Sequence, residues 1–260
     1  DLTLQARGTG FDPLLPRTRT SLRAQIDRAE FGGRDFGGIE LDAELDSQRL
    51  SGRISDRDEA LRLLLSVSGT LTEREQRIGL SGSVFGFDLA ALGVSPEPIG
   101  GSFALDASAS AAGKGAYAAR IALDSIEIRN KHRTDRIRPT SVSLHTDSAA
   151  TRAEAASGDL SLTFSTPQSA DSLIAALTRS ARALAGQIDA QSIDMEQLKP
   201  ALPDFALRVS AGPDNILNSL LKSRKIAFDA LNAEGANCDS LPVSIRLRTE
   251  GLAYGNVGLD

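Results

Sequence analysis

The sequence predicts a mainly β protein, in which a long antiparallel meandering sheet is folded into a taco-like trough with an aliphatic concave face and carries a helical insertion. Apolar and polar residues alternate in many short runs, and this period of two is typical of strands with one solvated face. Short polar turns separate the runs, so consecutive strands can pair as hairpins. Helical periodicity is confined to about residues 168–222.

The clearest strand is predicted at residues 39–46. Its odd-numbered residues are aliphatic and its even-numbered residues are acidic, which gives one apolar face and one charged face. The same alternation predicts further strands at 22–26, 50–54, 61–67, 80–84, 103–107, 119–123, 126–128, 160–164 and 243–247. Because polar turns such as 56–59 join neighbouring runs, we expect the order of strands in the sheet to follow the chain.

An amphipathic helix is predicted after residue 168. Ser169 is a suitable N-cap, and the apolar residues that follow recur at helical spacing. They are Leu173, Leu177, Ala181, Leu184 and Ile188. Shorter helices are predicted around 195–198 and 214–221, and strands resume at 207–209 and 226–228. We therefore divide the chain into a β-rich groove segment at 1–167, a helical insertion with a short strand at 168–222, and strands that continue the groove at 223–260.

The composition argues against several classes of function. With 29 Lys+Arg against 34 Asp+Glu, the formal net charge of −5 lacks the basic excess of nucleic-acid-binding proteins. One cysteine cannot form an intramolecular disulfide, and two histidines leave little material for a metal centre. No run approaches the roughly 20 apolar residues of a membrane span. We expect any membrane anchor to lie outside this chain.

No group of residues has the spacing of a catalytic site. His132 lies in a charged turn, and His145 takes the outward position beside Leu144. Cys238 has no neighbouring base that would lower its pKa. Ser81 lacks the glycine spacing of a nucleophile elbow. We therefore predict that the protein is not an enzyme, binds no metal and carries no cofactor.

The aliphatic strand faces must be covered by something, because each large side chain contributes roughly 1.5–3 kcal/mol when it leaves water. A second sheet, the helix predicted at 173–188 or bound lipid could cover them. Aromatic residues make up only 4% of the chain and tryptophan is absent. A core with so few rigid rings favours an incompletely filled groove.

Two segments carry a resemblance to a known family. They are IGGSFALDA at 99–107 and SGDLSLTF at 157–164, the latter followed by the amphipathic helix and by Leu202-Pro203. With the alternating strands, they resemble the TamB branch of the AsmA-like proteins. The resemblance implies an internal periplasmic segment of an inner-membrane-anchored protein, with a greasy groove for phospholipid transport between the inner and outer membranes. It also implies an outer-membrane barrel partner of the TamA type.

On this reading, acyl chains lie against aliphatic side chains that point into the trough. The predicted groove residues are Leu22, Ile26, Ile39, Leu41, Leu45, Leu63, Leu65, Phe103, Leu105, Ile121 and Leu123. The main alternative is a scaffold that assembles outer-membrane proteins by adding client strands to open sheet edges. A closed β-sandwich adhesin or sugar-binding module is a further alternative, although sugar platforms are usually aromatic.

Overall fold

A computed structural model describes residues 1–10, 12–27, 29–31, 34–113, 115–131, 133–189, 194, 202–223, 226–238, 241–254 and 257–259. Within these ranges the chain is mainly β, with twenty strands and two helices. The strands are β1 Leu2–Thr9, β2 Arg19–Ile26, β3 Ala29–Phe31, β4 Arg34–Phe36, β5 Ile39–Asp46, β6 Arg49–Arg57, β7 Leu61–Leu71, β8 Glu75–Asp88, β9 Gly100–Ala112, β10 Ala116–Arg129, β11 Thr134–Ile137, β12 Thr140–Thr146, β13 Thr151–Ser157, β14 Leu160–Thr166, β15 Phe205–Ala211, β16 Ile226–Ala227, β17 Ala230–Cys238, β18 Leu241–Glu250, β19 Leu252–Tyr254 and β20 Val257–Leu259. The helices are α1 Ala170–Asp189 and α2 Ile216–Ser223.

One long antiparallel sheet contains most of these strands, which confirms the predicted fold class. Its order is β1-β2-β5-β6-β7-β8-β9-β10-β12-β13-β14-β15-β17-β18, and β11 pairs with β10. Neighbours in the sheet are mostly neighbours in the chain, as short polar turns require. The hairpin β3-β4 and the small sheet β16-β19-β20 lie off this path.

The chain divides into two compact units. The first comprises Asp1–Gly113 and Ala119–Ser141, and the second comprises Lys114–Ala118 and Val142–Asp260. The predicted boundaries near residues 168 and 222 follow secondary structure rather than compactness, and they stay a prediction. The short helix predicted at 195–198 lies outside the described residues.

In the first unit, the strand registers align small and aliphatic residues into two rows across β1, β2 and β5–β9. The first row is Leu4, Ala24, Leu41, Ile54, Leu65, Gly82 and Leu105, and the second is Ala6, Leu22, Ala43, Gly52, Val67, Leu80 and Ala107. Because successive side chains of a strand point to opposite faces, both rows lie on one face of the sheet. We call this surface the aliphatic face.

The opposite face of the first unit is charged. Arg23 Nε lies 2.6 Å from Asp42 Oδ1, and Arg19 Nε lies 2.8 Å from Asp46 Oδ1, each pair joining β2 to β5. These ion pairs are solvent-exposed, so water screens them and they contribute little to stability. We call this surface the charged face.

Two irregularities interrupt the alternation of the long strands. In β8 the register shifts between Val84 and Phe87, so one extra residue bulges out. In β10 the backbone of Ser125 takes a φ of 52°, which moves the apolar residues from odd to even positions. The runs predicted separately at 119–123 and 126–128 are therefore one strand with a kink.

In the second unit, α1 begins on a cluster of hydroxyl groups. The Oγ1 atoms of Thr146 and Thr151 lie 2.8 Å apart, and the Ala170 N–H donates to Thr146 Oγ1 at 3.0 Å. The Ser172 N–H donates to Ser169 Oγ at 3.3 Å, which confirms Ser169 as the N-cap. Both threonines are buried, so the cluster satisfies polar groups at the helix start that water cannot reach.

The covered side of α1 is its small side rather than its predicted apolar stripe. Ala176 and Ser180 are 2% and 9% exposed, whereas Leu177 and Leu184 are 51% and 41% exposed. Small side chains let a helix backbone approach its neighbour closely. The large apolar residues of the stripe therefore stay in contact with solvent.

Candidate functional site: the aliphatic sheet face

The structure brings the predicted groove residues of β2, β5, β7 and β9 to one surface. They lie on the aliphatic face and are Leu22, Ile26, Ile39, Leu41, Leu45, Leu63, Leu65, Phe103 and Leu105. Ile121 and Leu123 lie two residues apart in β10 and so share one side of that strand. Sequence reasoning missed Leu4, Ile54 and Val67 as members of the same surface, although their alternation carried the same signal.

Most of this surface is half-exposed rather than buried. In the first unit, Leu65 and Val84 are 8% and 6% exposed, but Leu2 and Leu4 on β1 are 64% and 61% exposed. Uncovered apolar surface of this kind commonly marks a site of interaction.

Glycines set the relief of the aliphatic face. Gly82 has a φ of +153°, and a Cβ at this position would overlap the Leu64 carbonyl oxygen and lie 2.9 Å from the Leu65 Cα. A Cβ at Gly52 would lie 2.7 Å from the Asp42 carbonyl oxygen. Only glycine fits so close to the neighbouring strand. At both positions the missing side chain leaves a shallow depression between the larger side chains of the rows.

A buried carboxyl group stands at one end of the aliphatic face. Asp56 pairs with Leu63 across β6 and β7 and is 5% exposed. Its Oδ1 accepts the Asp58 N–H at 2.8 Å, which fixes the turn after β6. Burial raises the pKa of Asp56 above its ordinary value, against the lowering effect of backbone hydrogen bonds. The residue orders a turn, and nothing in the alternation of the sequence marks it.

The second unit has an apolar surface of its own. Two cross-strand rows run over β13–β15, β17 and β18. They are Ala155, Leu162, Val209, Ala233 and Leu247, and Ala153, Phe164, Leu207, Gly235 and Ile245. Ile245 and Leu247 on β18 are 79% and 65% exposed. Uncovered aliphatic rows thus occur in both units.

The other candidate residues do not converge. His145 and Ser81 are exposed, Cys238 is half-buried at the end of β17, and His132 lies outside the described residues. Within the described ranges, no three His, Cys, Asp or Glu side chains are grouped so that they could hold a metal ion. The same ranges contain no helix long and apolar enough to cross a membrane. The aliphatic face, which spans seven strands of the first unit, is therefore the candidate site.

The chain matches no protein-family model, no curated protein and no solved structure.

Proposed function

We propose that the aliphatic face of the first unit binds phospholipid acyl chains. In this proposal, the chain is a periplasmic segment of a TamB-like protein that carries phospholipid between the inner and outer membranes, with a TamA-type barrel as partner of the whole protein. The observation that carries the proposal is the pair of aligned aliphatic rows, which are exposed on β1 and, apart from the buried Leu65, half-exposed across β2 and β5–β9.

The energetics favour such a surface as a path for lipid. Moving an acyl chain of about 16 methylenes through water costs on the order of 13 kcal/mol, at about 0.8 kcal/mol per methylene. A continuous row of aliphatic side chains removes much of that cost at every step. Because no charged residue stands within the two rows, no strong local trap would stop a chain from sliding.

Photo-crosslinking at matched neighbours tests this proposal. A benzophenone side chain at Leu41 reaches the aliphatic face, and the same group at Glu40 reaches the charged face one residue away. We expect phospholipid adducts at Leu41 and not at Glu40 when the protein is incubated with vesicles of phosphatidylethanolamine and phosphatidylglycerol. Equal labelling at both positions, or no labelling at Leu41, would contradict the proposal.

A second candidate function rests on the outer edge of β1, which pairs with β2 alone among the strands that the structure describes. The Asp27 N–H donates to the Asp1 carbonyl at 3.1 Å. In an antiparallel ladder the bonded pairs alternate, so the N–H groups of Leu4 and Ala6 point away from β2. These free donors suit the addition of a client strand, as an assembly scaffold requires.

A proline at position 6 separates the two candidates. Ala6→Pro removes an outward N–H and leaves the ladder to β2 intact, and edge strands tolerate proline at such positions. Lipid crosslinking at Leu41 should persist in this variant if the aliphatic face carries the function. A client strand that pairs with β1 should lose binding.

A further inference from the structure

On the charged face of the first unit, two arginines form a cross-strand pair of like charges. Arg57 of β6 and Arg62 of β7 stand directly opposite each other. Arg23 and Arg53, by contrast, both stand opposite Asp42. Among the side chains that the structure describes, no carboxylate forms an ion pair with Arg57 or Arg62. Like charges in direct cross-strand pairs repel each other, so an anion bound between the two guanidinium groups would reduce this repulsion.

The bulge of β8 adds apolar groups beside these arginines. Gly86 pairs with Arg62, and Val84 pairs with Leu63, so Phe85 is the extra residue. Phe85 is 56% exposed. Leu64, whose position in the alternation of β7 places it on the charged face, lies beside it in the same depression. Bulges commonly re-aim a side chain at functional sites.

The absence of a side chain at Gly86 makes room for the guanidinium group of Arg62. A Cβ on Gly86 would lie 3.1 Å from Arg62 Nη2 and 3.4 Å from Nε. The guanidinium group therefore lies over the backbone of Gly86, next to the bulged Phe85. The position of this charge is set by the strand geometry rather than by a carboxylate.

A depression of ≈ 390 Å³ joins these groups, and its lining carries an excess of available positive charge. Arg53, Arg57 and Arg62 line it. Of the three carboxylates in the lining, Asp56 belongs to the aliphatic face by its position in β6, and Asp42 is paired with Arg23. The three guanidinium groups therefore face one further carboxylate, that of Glu40.

We propose that this depression binds a phosphate group that is attached to an apolar moiety. The phosphate oxygens would accept charge-assisted hydrogen bonds from Arg57 and Arg62, whose planar donors suit this geometry. Phe85 and Leu64 would contact the apolar part. A lipid headgroup and a soluble phosphate ester share this chemistry. The site lies on the charged face, so it does not depend on the function proposed for the aliphatic face.

Titrations of the whole chain followed by the NMR signals of arginine Nε–H groups test this site. The probes are inorganic phosphate, phenyl phosphate and monomeric dihexanoyl phosphatidylglycerol. We expect saturable shifts at Arg57 and Arg62, with an affinity about tenfold higher for the probes that carry an apolar group. Tighter binding of the phosphatidylglycerol would identify a lipid headgroup, and tighter binding of phenyl phosphate would identify a soluble ester.

Matched variants decide whether the proposed residues are responsible. Arg62→Gln should weaken all three probes about tenfold or more. Phe85→Ser should weaken only the two probes with an apolar group. Arg77→Gln removes the same charge from β8, where Arg77 is paired with Glu75 at 2.6 Å, and should leave binding unchanged. The proposal would be overturned by the absence of saturable binding, by equal effects of Arg62→Gln and Arg77→Gln, or by an unchanged preference in Phe85→Ser.

Discussion

The two units of the chain keep their elements in place by different means. The first unit consists of strands that pair mostly in sequence order, and its buried polar residues include Thr18 just before β2 and Asp56 near the end of β6. The second unit also holds two helices, and their first residues donate to buried hydroxyl groups, those of Thr146 for α1 and Ser157 for α2. Helix ends leave backbone groups without intrahelical partners, so a helix placed against a sheet needs such anchors.

This difference predicts which substitutions destabilise each unit most. In the first unit, backbones of neighbouring strands approach closely and most side chains keep some contact with solvent. Changes that disturb the spacing of the strands should therefore lower the free energy of unfolding most. In the second unit, a few buried hydrogen bonds hold the helices, so the loss of one side chain should matter most. Substitutions in each unit can test this contrast.

The largest effect is expected from Gly82→Ala in the first unit. The new Cβ would overlap the Leu64 carbonyl oxygen, and the φ of +153° is unfavourable for any L side chain. We expect a loss of about 3 kcal/mol in the free energy of unfolding, measured by urea denaturation. Gly79→Ala in the same strand is the control, since its Cβ would meet the flexible Ser68 Oγ at 3.2 Å. Equal losses in both variants would show that close backbone approach does not govern this unit.

A smaller effect is expected from Asn218→Ala in the second unit. Asn218 is 0% exposed, and its Nδ2 donates to the carbonyl oxygens of Phe228 at 2.9 Å and Pro213 at 3.1 Å. The variant leaves both carbonyls unsatisfied, but it also removes a buried Oδ1 that has no partner within the described residues. We expect a loss of about 2 kcal/mol in the urea experiment.

The exposed Lys222 of the same helix provides the control for this change. Lys222→Ala should alter the free energy of unfolding by less than about 0.5 kcal/mol. A loss below about 0.5 kcal/mol in Asn218→Ala as well would mean that α2 does not depend on its buried anchor. The claim that buried hydrogen bonds stabilise the helices of the second unit would then be wrong.

The strands of both units were predictable because alternation is a local signal. The runs at 39–46 and 160–164 each became a strand with the predicted faces. The kink at Ser125 and the bulge at Phe85 were not predictable, since a positive φ at serine and an extra strand residue leave no mark in hydrophobic periodicity. The strand faces follow from parity, whereas which residues stand opposite each other depends on register.

The candidate sites differ in the same way. The aliphatic face was predictable from parity, and Leu41 and Leu105 lie in one row as a consequence of regular pairing. The pairing of Arg57 with Arg62 depends on the exact register across a tight turn. Sequence spacing alone does not say that these two charges stand opposite each other beside a bulge.

The smallest expected effect is a pH dependence of the free energy of unfolding that arises from Asp56. Its pKa is raised in the folded state by burial, so the folded protein binds this proton more tightly than the unfolded chain does. Stability from this group is fully present below the unfolded pKa of about 3.9 and is lost as the pH rises through the folded pKa. Asp56→Asn keeps an oxygen that can accept the Asp58 N–H. We therefore expect Asp56→Asn to be more stable than the wild type at pH 7, with the advantage shrinking as the pH falls toward 4.

Asp46 is the matched control of opposite sign, because a hydrogen bond from the Ser47 hydroxyl lowers its pKa, and the Arg19 guanidinium adds to this effect. A lowered pKa contributes stability above the unfolded pKa that is lost as the pH falls through the folded pKa. Asp46→Asn should therefore be slightly less stable than the wild type at pH 7 and equal to it in acid. Since Asp46 is solvent-exposed and Asp56 is buried, opposite slopes in urea denaturation experiments from about pH 2 to 7 would show that charge is costly at the aliphatic face and favourable at the charged face. Parallel slopes would mean that the two faces of the first unit do not differ electrostatically.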